Sequence, residues 1–205
     1  MGLAVAGNLA ADLAARTGCG VMAVHANAEE WYIVHGPDLL IDAFGRIRER
    51  VHATVGGLTP SQLAYRVDPD ANTIAWLVWH LTRIQDDHVA HVAGIDQVWT
   101  SGGWHERFGL PFPPAATGYG HRSSDVGAVV VDDPALLIGY HDATHEITEG
   151  FLRELDDETL GRVVDESWDP PVTMGVRLVS VIGDSYQHIG QAAFVRGVLT
   201  RLGVA

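Results

Sequence analysis

The sequence predicts an all-α protein, an antiparallel four-helix bundle with a long crossover loop between the second and third helices. Four segments carry apolar residues at helical spacing and are flanked by residues that start or end helices. One connection, residues 99–131, is long and rich in Gly, Pro and aromatic residues. Long loops inside a compact domain usually cover a site or are disordered, and the aromatic content favours cover. A bundle with one long crossover satisfies these observations.

The first two helices have clear limits in the sequence. The first is predicted over residues 38–55, because its apolar residues keep helical spacing until Gly56 ends the pattern. The second starts at Asn72 or Thr73, both good N-caps, and is ended by Gly94. Between these limits the apolar positions stay on one face, as expected for a helix that packs on a core.

The last two helices follow the crossover. The third is predicted to start at Asp132 and Asp133, with Pro134 in its first turn, and to run to about Leu155. The fourth is predicted over residues 173–202. Residues 162–172 between them have extended character, but two consecutive prolines limit this segment to a connector.

Length and composition indicate one domain. The chain has 205 residues and no composition shift that divides it. We expect residues 35–205 to form the bundle and residues 1–34 to be an N-terminal extension that is partly disordered. Residues 1–21 lack the features of a signal peptide, and no long apolar run indicates a membrane span. Together with a single cysteine, Cys19, this composition favours a cytoplasmic protein.

The charge balance excludes two classes of partner. With 13 basic and 26 acidic side chains, the chain carries a formal net charge of -13. Such a charge repels phosphate backbones and anionic lipid surfaces. We therefore expect neither a nucleic acid nor a membrane as partner.

Three polar residues interrupt an apolar seam of the fourth helix. Asp184, His188 and Gln191 share one predicted face with Val181 and Val195, and a face of this kind points into the protein. Unpaired polar groups are costly to bury, at about 1–3 kcal/mol each, so these side chains need partners. Asp and His one turn apart project in parallel, as two ligands of one divalent cation do.

The second helix supplies the best third ligand. His80 lies mid-helix between tryptophans and leucines, an apolar setting in which an imidazole needs a partner. If the second and fourth helices face each other, His80, Asp184 and His188 can bind one ion and leave positions for water or substrate. Three protein ligands with an open position indicate a catalytic metal site.

Other interpretations of the histidines stay open. One or two carboxylate–x3–His pairs are expected by chance from 11 His and 26 acidic residues, and the chain has two. The second pair, Asp87 and His91, belongs to a polar run that we expect on a solvated surface. His141 and His145 form a rival metal pair, or hydrogen-bonded bundle histidines. A network in which His80, Asp184 and His188 hydrogen-bond to other side chains explains these residues as well as a metal does.

Three segments together resemble the DinB-like superfamily of metal-binding four-helix bundles. They are residues 74–81, residues 104–111 and residues 184–191. More narrowly, they are similar to the actinobacterial branch near the mycothiol-dependent S-transferases and the metal-binding domain of mycothiol-dependent maleylpyruvate isomerase. The resemblance covers roughly residues 35–202.

The resemblance implies a metal site and a reaction. Many members hold the metal with three histidines, and the isomerase branch has a carboxylate where this chain has Asp184, so the implied ligands are His80, Asp184 and His188. Zinc is the metal expected first. Because a carboxylate is a harder ligand than an imidazole, nickel, manganese or iron also fit. The implied reaction is thiolate transfer from mycothiol or a similar thiol to an electrophilic small molecule. Candidates for substrate contact are Gln191, His141, Tyr186 and Arg107.

Two other classes of function fit the same residues. One is a metal-binding stress or detoxification bundle without turnover, or a dimeric scaffold whose metal is structural. The other is a metal-dependent hydrolase, in which the open position holds hydroxide instead of thiolate. By analogy with bundles of this size we expect a homodimer.

Overall fold

A computed structural model describes residues 34–204, and these residues are mostly helical. The four long helices are α1 (Gly36–Val55), α3 (Ile74–Ala93), α7 (Pro134–Arg153) and α9 (Met174–Leu202). The short helices are α2 (Pro60–Leu63), α4 (Val98–Ser101), α5 (Trp104–Phe108), α6 (Ser123–Ala128) and α8 (Asp157–Leu160). Two short strands, β1 (Val163–Asp165) and β2 (Val172–Thr173), lie between α8 and α9. The predicted N-terminal extension, except its last residue, lies outside the described residues.

The predicted limits of the long helices are confirmed to within about two residues. Thr73 caps α3 by accepting a hydrogen bond from the backbone N–H of Trp76, and Asp133 caps α7 in the same way. Gly94 ends α3 in the left-handed conformation, with φ of 69°, where a residue without Cβ is unstrained. Local chemistry therefore sets these limits.

Two predictions about the connections need correction. The crossover is not a plain loop, because it carries α4, α5 and α6. Residues 162–172 are more than an extended connector, since β1 and β2 pair antiparallel, with Val163 opposite Thr173 and Asp165 opposite Val172. In both segments the backbone N–H and C=O groups lie outside the long helices, and many of them hydrogen-bond to one another within the segment.

The long helices contact one another in antiparallel and parallel pairs. In α3 and α9, His80 lies beside His188 and His88 lies beside Arg177, so these helices run in opposite directions. Helices α1 and α7 are antiparallel as well, because the end of α1 hydrogen-bonds the first half of α7 and the start of α1 lies beside the end of α7. Helices α3 and α7 run parallel, and so do α1 and α9.

The parallel contact of α3 with α7 explains the long crossover. A chain that leaves the end of α3 has to return along the whole helix before α7 can start beside it. For a helix of 20 residues that distance is about 30 Å. No short turn spans it, so residues 94–133 are needed for the return.

The interior has two apolar clusters with a polar layer between them. One cluster includes Leu77, Tyr140 and Ile189, and the other includes Phe44, Val89 and Leu178. The side chains buried between them along α3, α7 and α9 are Thr82, Gln85, His141, Thr144, His145, Thr148 and Ser185. Hydrogen bonds such as that from Gln85 to Thr148, at 2.9 Å, partly satisfy this layer.

A buried ion pair attaches the crossover to α3. Arg83 and Asp86 have side chains 0% and 3% exposed, and Nη1 of Arg83 lies 3.5 Å from Oδ2 of Asp86. Asp86 also accepts hydrogen bonds from the hydroxyl of Tyr140 and from the backbone N–H groups of Val98 and Trp99, all within 2.8 Å. A charge this deeply buried is tolerated because every side of it is paired.

The guanidinium of Arg83 holds the middle of the crossover. It donates to the carbonyl oxygens of Ala116 and Pro114, and to the side chain of Gln97. It also lies 5.1 Å from the centre of the Trp99 ring. The Arg83–Asp86 pair therefore holds both the start and the middle of the crossover against α3.

We expect Asp86→Ala to destabilise the fold strongly. The substitution leaves Arg83 buried without its counter-charge and two backbone N–H groups without acceptors, which costs about 3–5 kcal/mol. Urea denaturation gives the change in the free energy of unfolding. Asp42→Ala, which removes an ion pair on the exposed face of α1, is the control and should have a much smaller effect. Equal effects of the two substitutions would contradict the role of the Arg83–Asp86 pair.

Candidate metal centre

The structure brings His80, Asp184 and His188 together between α3 and α9. Each residue offers one ligand atom, and these atoms all lie within 4.8 Å of one another. The rings of His80 and His188 have centroids 4.7 Å apart, and Nε2 of His188 lies 3.4 Å from Oδ1 of Asp184. Among the described residues, no other group of three His, Cys, Asp or Glu side chains meets this condition.

The orientation of His80 is fixed from two sides. Its Nδ1 lies 2.6 Å from the carbonyl oxygen of Thr117 in the crossover. Because a carbonyl only accepts, Nδ1 carries the proton and Nε2 keeps a free lone pair. The ring of Trp76 stacks on His80 with centroids 4.6 Å apart and an interplanar angle of 15°. A metal-ligating histidine typically donates its second ring N–H to a carbonyl in this way.

The protonation states suit cation binding. Burial lowers the pKa of His80 below its usual value, an effect larger than the opposing one of the Thr117 carbonyl. Burial would raise the pKa of Asp184, but the hydrogen bond to His188 and the nearby imidazoles outweigh it and lower that pKa. At neutral pH His80 is therefore a neutral imidazole and Asp184 is a carboxylate, and these are the forms that ligate metals.

Unsatisfied atoms at this centre indicate that a ligand is missing from the hydrogen-bond network. Oδ2 of Asp184 and Nδ1 of His188 are buried and have no hydrogen-bond partner. Two imidazoles and one carboxylate form a donor set for zinc and for other first-row divalent ions. The residues present therefore fit a divalent cation.

The crossover lies directly over His80. Gly118 has φ of 94°, and a Cβ at this position would come within 2.7 Å of Nδ1 of His80 and 3.0 Å of the Trp79 ring. Only glycine allows the backbone to approach the imidazole so closely. The prediction that the crossover covers a site is consistent with this contact.

The predicted seam of α9 is only partly buried, and its placement in the interior was wrong. The side chains of Asp184 and His188 are 35% and 18% exposed, and Gln191 is exposed. The face that α9 buries is rotated from the predicted one and consists of Met174, Leu178, Val181, Ser185, Ile189, Ala192, Val195 and Leu199. Because this face is shared with α1, the polar residues come to lie at the edge of the contact with α3.

The candidates for substrate contact are dispersed. Gln191 lies one turn beyond His188 and lines a neighbouring cleft. Tyr186 is exposed, and its hydroxyl lies 3.5 Å from the carbonyl oxygen of Ala43 on α1. Arg107 lies over the ring of Trp104, at 3.8 Å from its centroid. Of these three side chains, only Gln191 lies near the candidate metal centre.

His141 and His145 belong to the buried polar layer and do not join the metal-binding group. Thr82 donates its hydroxyl proton to the carbonyl of Val78, so Nδ1 of His141, at 3.1 Å, donates to Thr82. Thr82 and His80 are two residues apart on α3, so they point to nearly opposite faces of the helix. His145 lies near Glu149 instead.

The polar run of α3 was predicted on a solvated surface, which is wrong for its first residues. Gln85 and Asp86 are buried, and Asp87 accepts a hydrogen bond from Gln97. Periodicity did not reveal this burial because the covering segments, α7 for Gln85 and the crossover for Asp86, lie far along the chain. Only His91 is exposed as predicted.

Three residues near the centre were not predicted from the sequence. His121 of the crossover accepts a hydrogen bond from Nε1 of Trp76, at 3.2 Å. His88 and Arg177 lie beside each other in the cleft that Asp184 lines. His88 is two helical turns beyond His80, so its spacing was a signal, whereas nothing local marked His121.

The family of the chain follows from comparison with known proteins. The family model described as mycothiol-S-transferase matches residues 39–201, which include the metal-binding group and the crossover above it. The chain belongs to the mycothiol S-transferase family. This finding confirms the resemblance to the DinB-like mycothiol-dependent proteins.

One solved structure is similar to most of the chain. The crystal structure of a conserved protein from Enterococcus faecalis is similar, with a TM-score of 0.75 and 32% sequence identity. The match covers 80% of this chain and 96% of that chain. No curated protein matches the chain. Within residues 34–204, no helix of this family member combines the length and apolar character that a membrane crossing requires.

We expect Gly118→Ala to weaken metal binding. The added Cβ pushes the crossover away from His80 and breaks its hydrogen bond to Thr117, and losing such a contact typically costs about 10- to 100-fold in metal affinity. Competition with a chromophoric zinc chelator measures the affinity. Gly120→Ala is the matched control, because Gly120 also has a positive φ, 73°, but a Cβ there contacts nothing. Equal zinc affinities of the two variants would contradict the assignment.

The buried His141 should make stability depend on pH. Burial lowers its pKa from 6.5 to about 3. Between these values the unfolded chain binds the proton and the folded protein does not, so stability falls as the pH drops below 6.5, by about 1.4 kcal/mol for each pH unit.

Urea denaturation at pH 7.5 and 5.5 tests this dependence. His141→Gln should lose about 1.4 kcal/mol less than wild type between the two pH values. His91→Gln, at an exposed position of α3, should behave like wild type. A pH dependence unchanged by His141→Gln would show that this histidine titrates normally.

Proposed function

We propose that the protein is a metal-dependent thiol S-transferase that conjugates mycothiol, or a similar low-molecular-weight thiol, to an electrophilic small molecule. The observation that carries the proposal is the convergence of His80, Asp184 and His188, with ligand atoms within 4.8 Å and two of their buried atoms unpartnered. Membership of the mycothiol S-transferase family supports the identity of the thiol.

A divalent cation, when bound, stabilises a thiolate and so supplies at neutral pH a nucleophile that a free thiol, with a pKa of about 8.5, provides only in small fraction. His80 holds its Nε2 lone pair toward the centre because Nδ1 is bound to Thr117. Asp184 contributes the negative charge that the two imidazoles lack. Zinc is the cation we expect first, with nickel, manganese and iron as alternatives.

The partial exposure of the centre suits a reaction between two small molecules. Asp184 and His188 can be reached from outside, whereas His80 is buried under the crossover. In the transfer, the thiolate sulfur forms a bond to the electrophilic carbon. The leaving group departs from that carbon with its bonding electrons, and the thiol proton passes to solvent.

We also infer the arrangement of the whole domain. The antiparallel and parallel contacts among α1, α3, α7 and α9 support a four-helix bundle formed by residues 35–205, with the crossover joining its second and third helices. A homodimer stays a prediction.

Metal analysis and a conjugation assay test the function together. Purified wild type should contain close to one equivalent of a divalent metal and conjugate mycothiol to monochlorobimane or chlorodinitrobenzene. His80→Ala and Asp184→Ala should each lose most of the metal and at least about 100-fold in kcat/KM, because two ligands hold the ion poorly. His91→Ala, on the exposed part of α3, is the control and should retain both properties.

Four results would reject the transferase. The first is a wild-type protein without bound metal, and the second is a conjugation rate that His80→Ala leaves unchanged. Metal binding without conjugation of any thiol in a panel would point to a non-catalytic metal-binding protein. Hydrolysis of ester substrates without thiol would point to the hydrolase.

A further inference from the structure

Two clefts flank the candidate metal centre along the groove between α3 and α9. Because these helices are antiparallel, the residue one turn before His80 on α3 lies beside the residue one turn after His188 on α9. The first cleft lies on that side and includes Leu77 and Gln191. The second lies on the other side and includes Ile84 and Asp184. Their volumes are about 460 and 430 Å³, within the range of small-molecule sites.

The first cleft is almost entirely apolar. Its walls are Val67, Ala71, Leu77, Phe194 and Val195, and Phe194 is 62% exposed. Among the described residues, the only polar side chains that line it are the amides of Asn72 and Gln191. A molecule with many hydroxyl groups would leave most of them unpaired here, whereas an apolar molecule would bury its surface favourably.

The second cleft combines polar groups with exposed aromatic rings. Arg177 and His88 lie at its far end from the metal-binding group, and Nε of Arg177 is buried without a hydrogen-bond partner. Trp168 and Tyr119 are 66% and 91% exposed and offer ring faces on which a sugar can stack. Asp184 is itself part of the lining, so a molecule in this cleft reaches the metal-binding group directly.

We propose that the two clefts divide the two substrates, with the thiol in the cleft of Arg177 and Trp168 and an apolar electrophile in the cleft of Phe194 and Gln191. This inference rests on the proposed transferase function. Mycothiol carries its cysteine on a polyhydroxylated sugar group, which needs hydrogen-bond partners and stacking surfaces. Its sulfur then lies at the metal-binding group, and the electrophilic carbon approaches from the opposite side. The amide of Gln191 is placed to bind a polar substituent of the electrophile near the reacting carbon.

The electrophile is accordingly an apolar molecule, aromatic or alkyl, of a size that about 460 Å³ admits. We expect strongly charged electrophiles to be excluded, because no ionisable side chain of residues 34–204 lines this cleft. The division leaves each substrate free to bind without displacing the other. Kinetics should therefore show a ternary complex.

Two exposed aromatic residues allow a matched test. Phe194→Ala should raise the KM for chlorodinitrobenzene about fivefold and leave the KM for mycothiol unchanged, because it removes apolar contact area from one cleft only. Trp168→Ala should raise the KM for mycothiol by a similar factor and leave the KM for chlorodinitrobenzene unchanged. Both side chains protrude from the surface, so neither substitution should impair folding.

A truncated thiol separates sugar binding from sulfur binding. With N-acetylcysteine, which lacks the sugar group, Trp168→Ala should change the KM for thiol by less than about twofold. An equal rise of KM with N-acetylcysteine would contradict the placement of the sugar beside Trp168.

The outcomes distinguish failure of this inference from failure of the proposed function. Absence of conjugation by wild type with every thiol overturns the function and the inference with it. Normal conjugation with the two KM effects exchanged, or with both substitutions acting on both substrates, overturns the division alone. The division is supported if each substitution raises the KM of one substrate only, and if Trp168→Ala does not raise the KM for N-acetylcysteine.

Discussion

The buried ion pair between Arg83 and Asp86 is the interaction on which the candidate site depends. A charge pair in this position is stable only because the hydroxyl of Tyr140 and the backbone of the crossover complete its hydrogen bonds. The same contacts hold the crossover against α3 and bring Thr117 and Gly118 over His80. Removing the pair would release the segment that selects the tautomer of His80.

The polar layer between the two apolar clusters explains where the site lies. Buried threonines and histidines of α3 and α7 contact one another inside the protein, and hydrogen bonds satisfy them only in part. Toward α9 this layer meets Asp184 and His188, which keep unpartnered atoms and reach the surface. The interior polar groups therefore serve structure, and those at the edge are available for a cation and for substrates.

The helices were largely predictable, and the faces they bury were less so. Thr73, Gly94 and Asp133 act locally, since each cap involves backbone groups within one turn of it. Burial instead depends on which helices lie on each side. The predicted seam of α9 assumed one packing partner, but the helix contacts both α1 and α3, so that Gln191 is exposed and Ser185 is buried.

By itself the sequence determined the long helices and their caps, and it marked His80, Asp184 and His188 as candidate ligands, because spacing along one helix and an imidazole among apolar neighbours are local signals. Tertiary structure alone decided that Thr117 and Gly118 orient His80, that Gln85 and Asp86 are buried, and that His141 faces away from the centre. These features arise where the crossover or another helix covers a surface, and such contacts join residues whose separation along the chain carries no periodic signal.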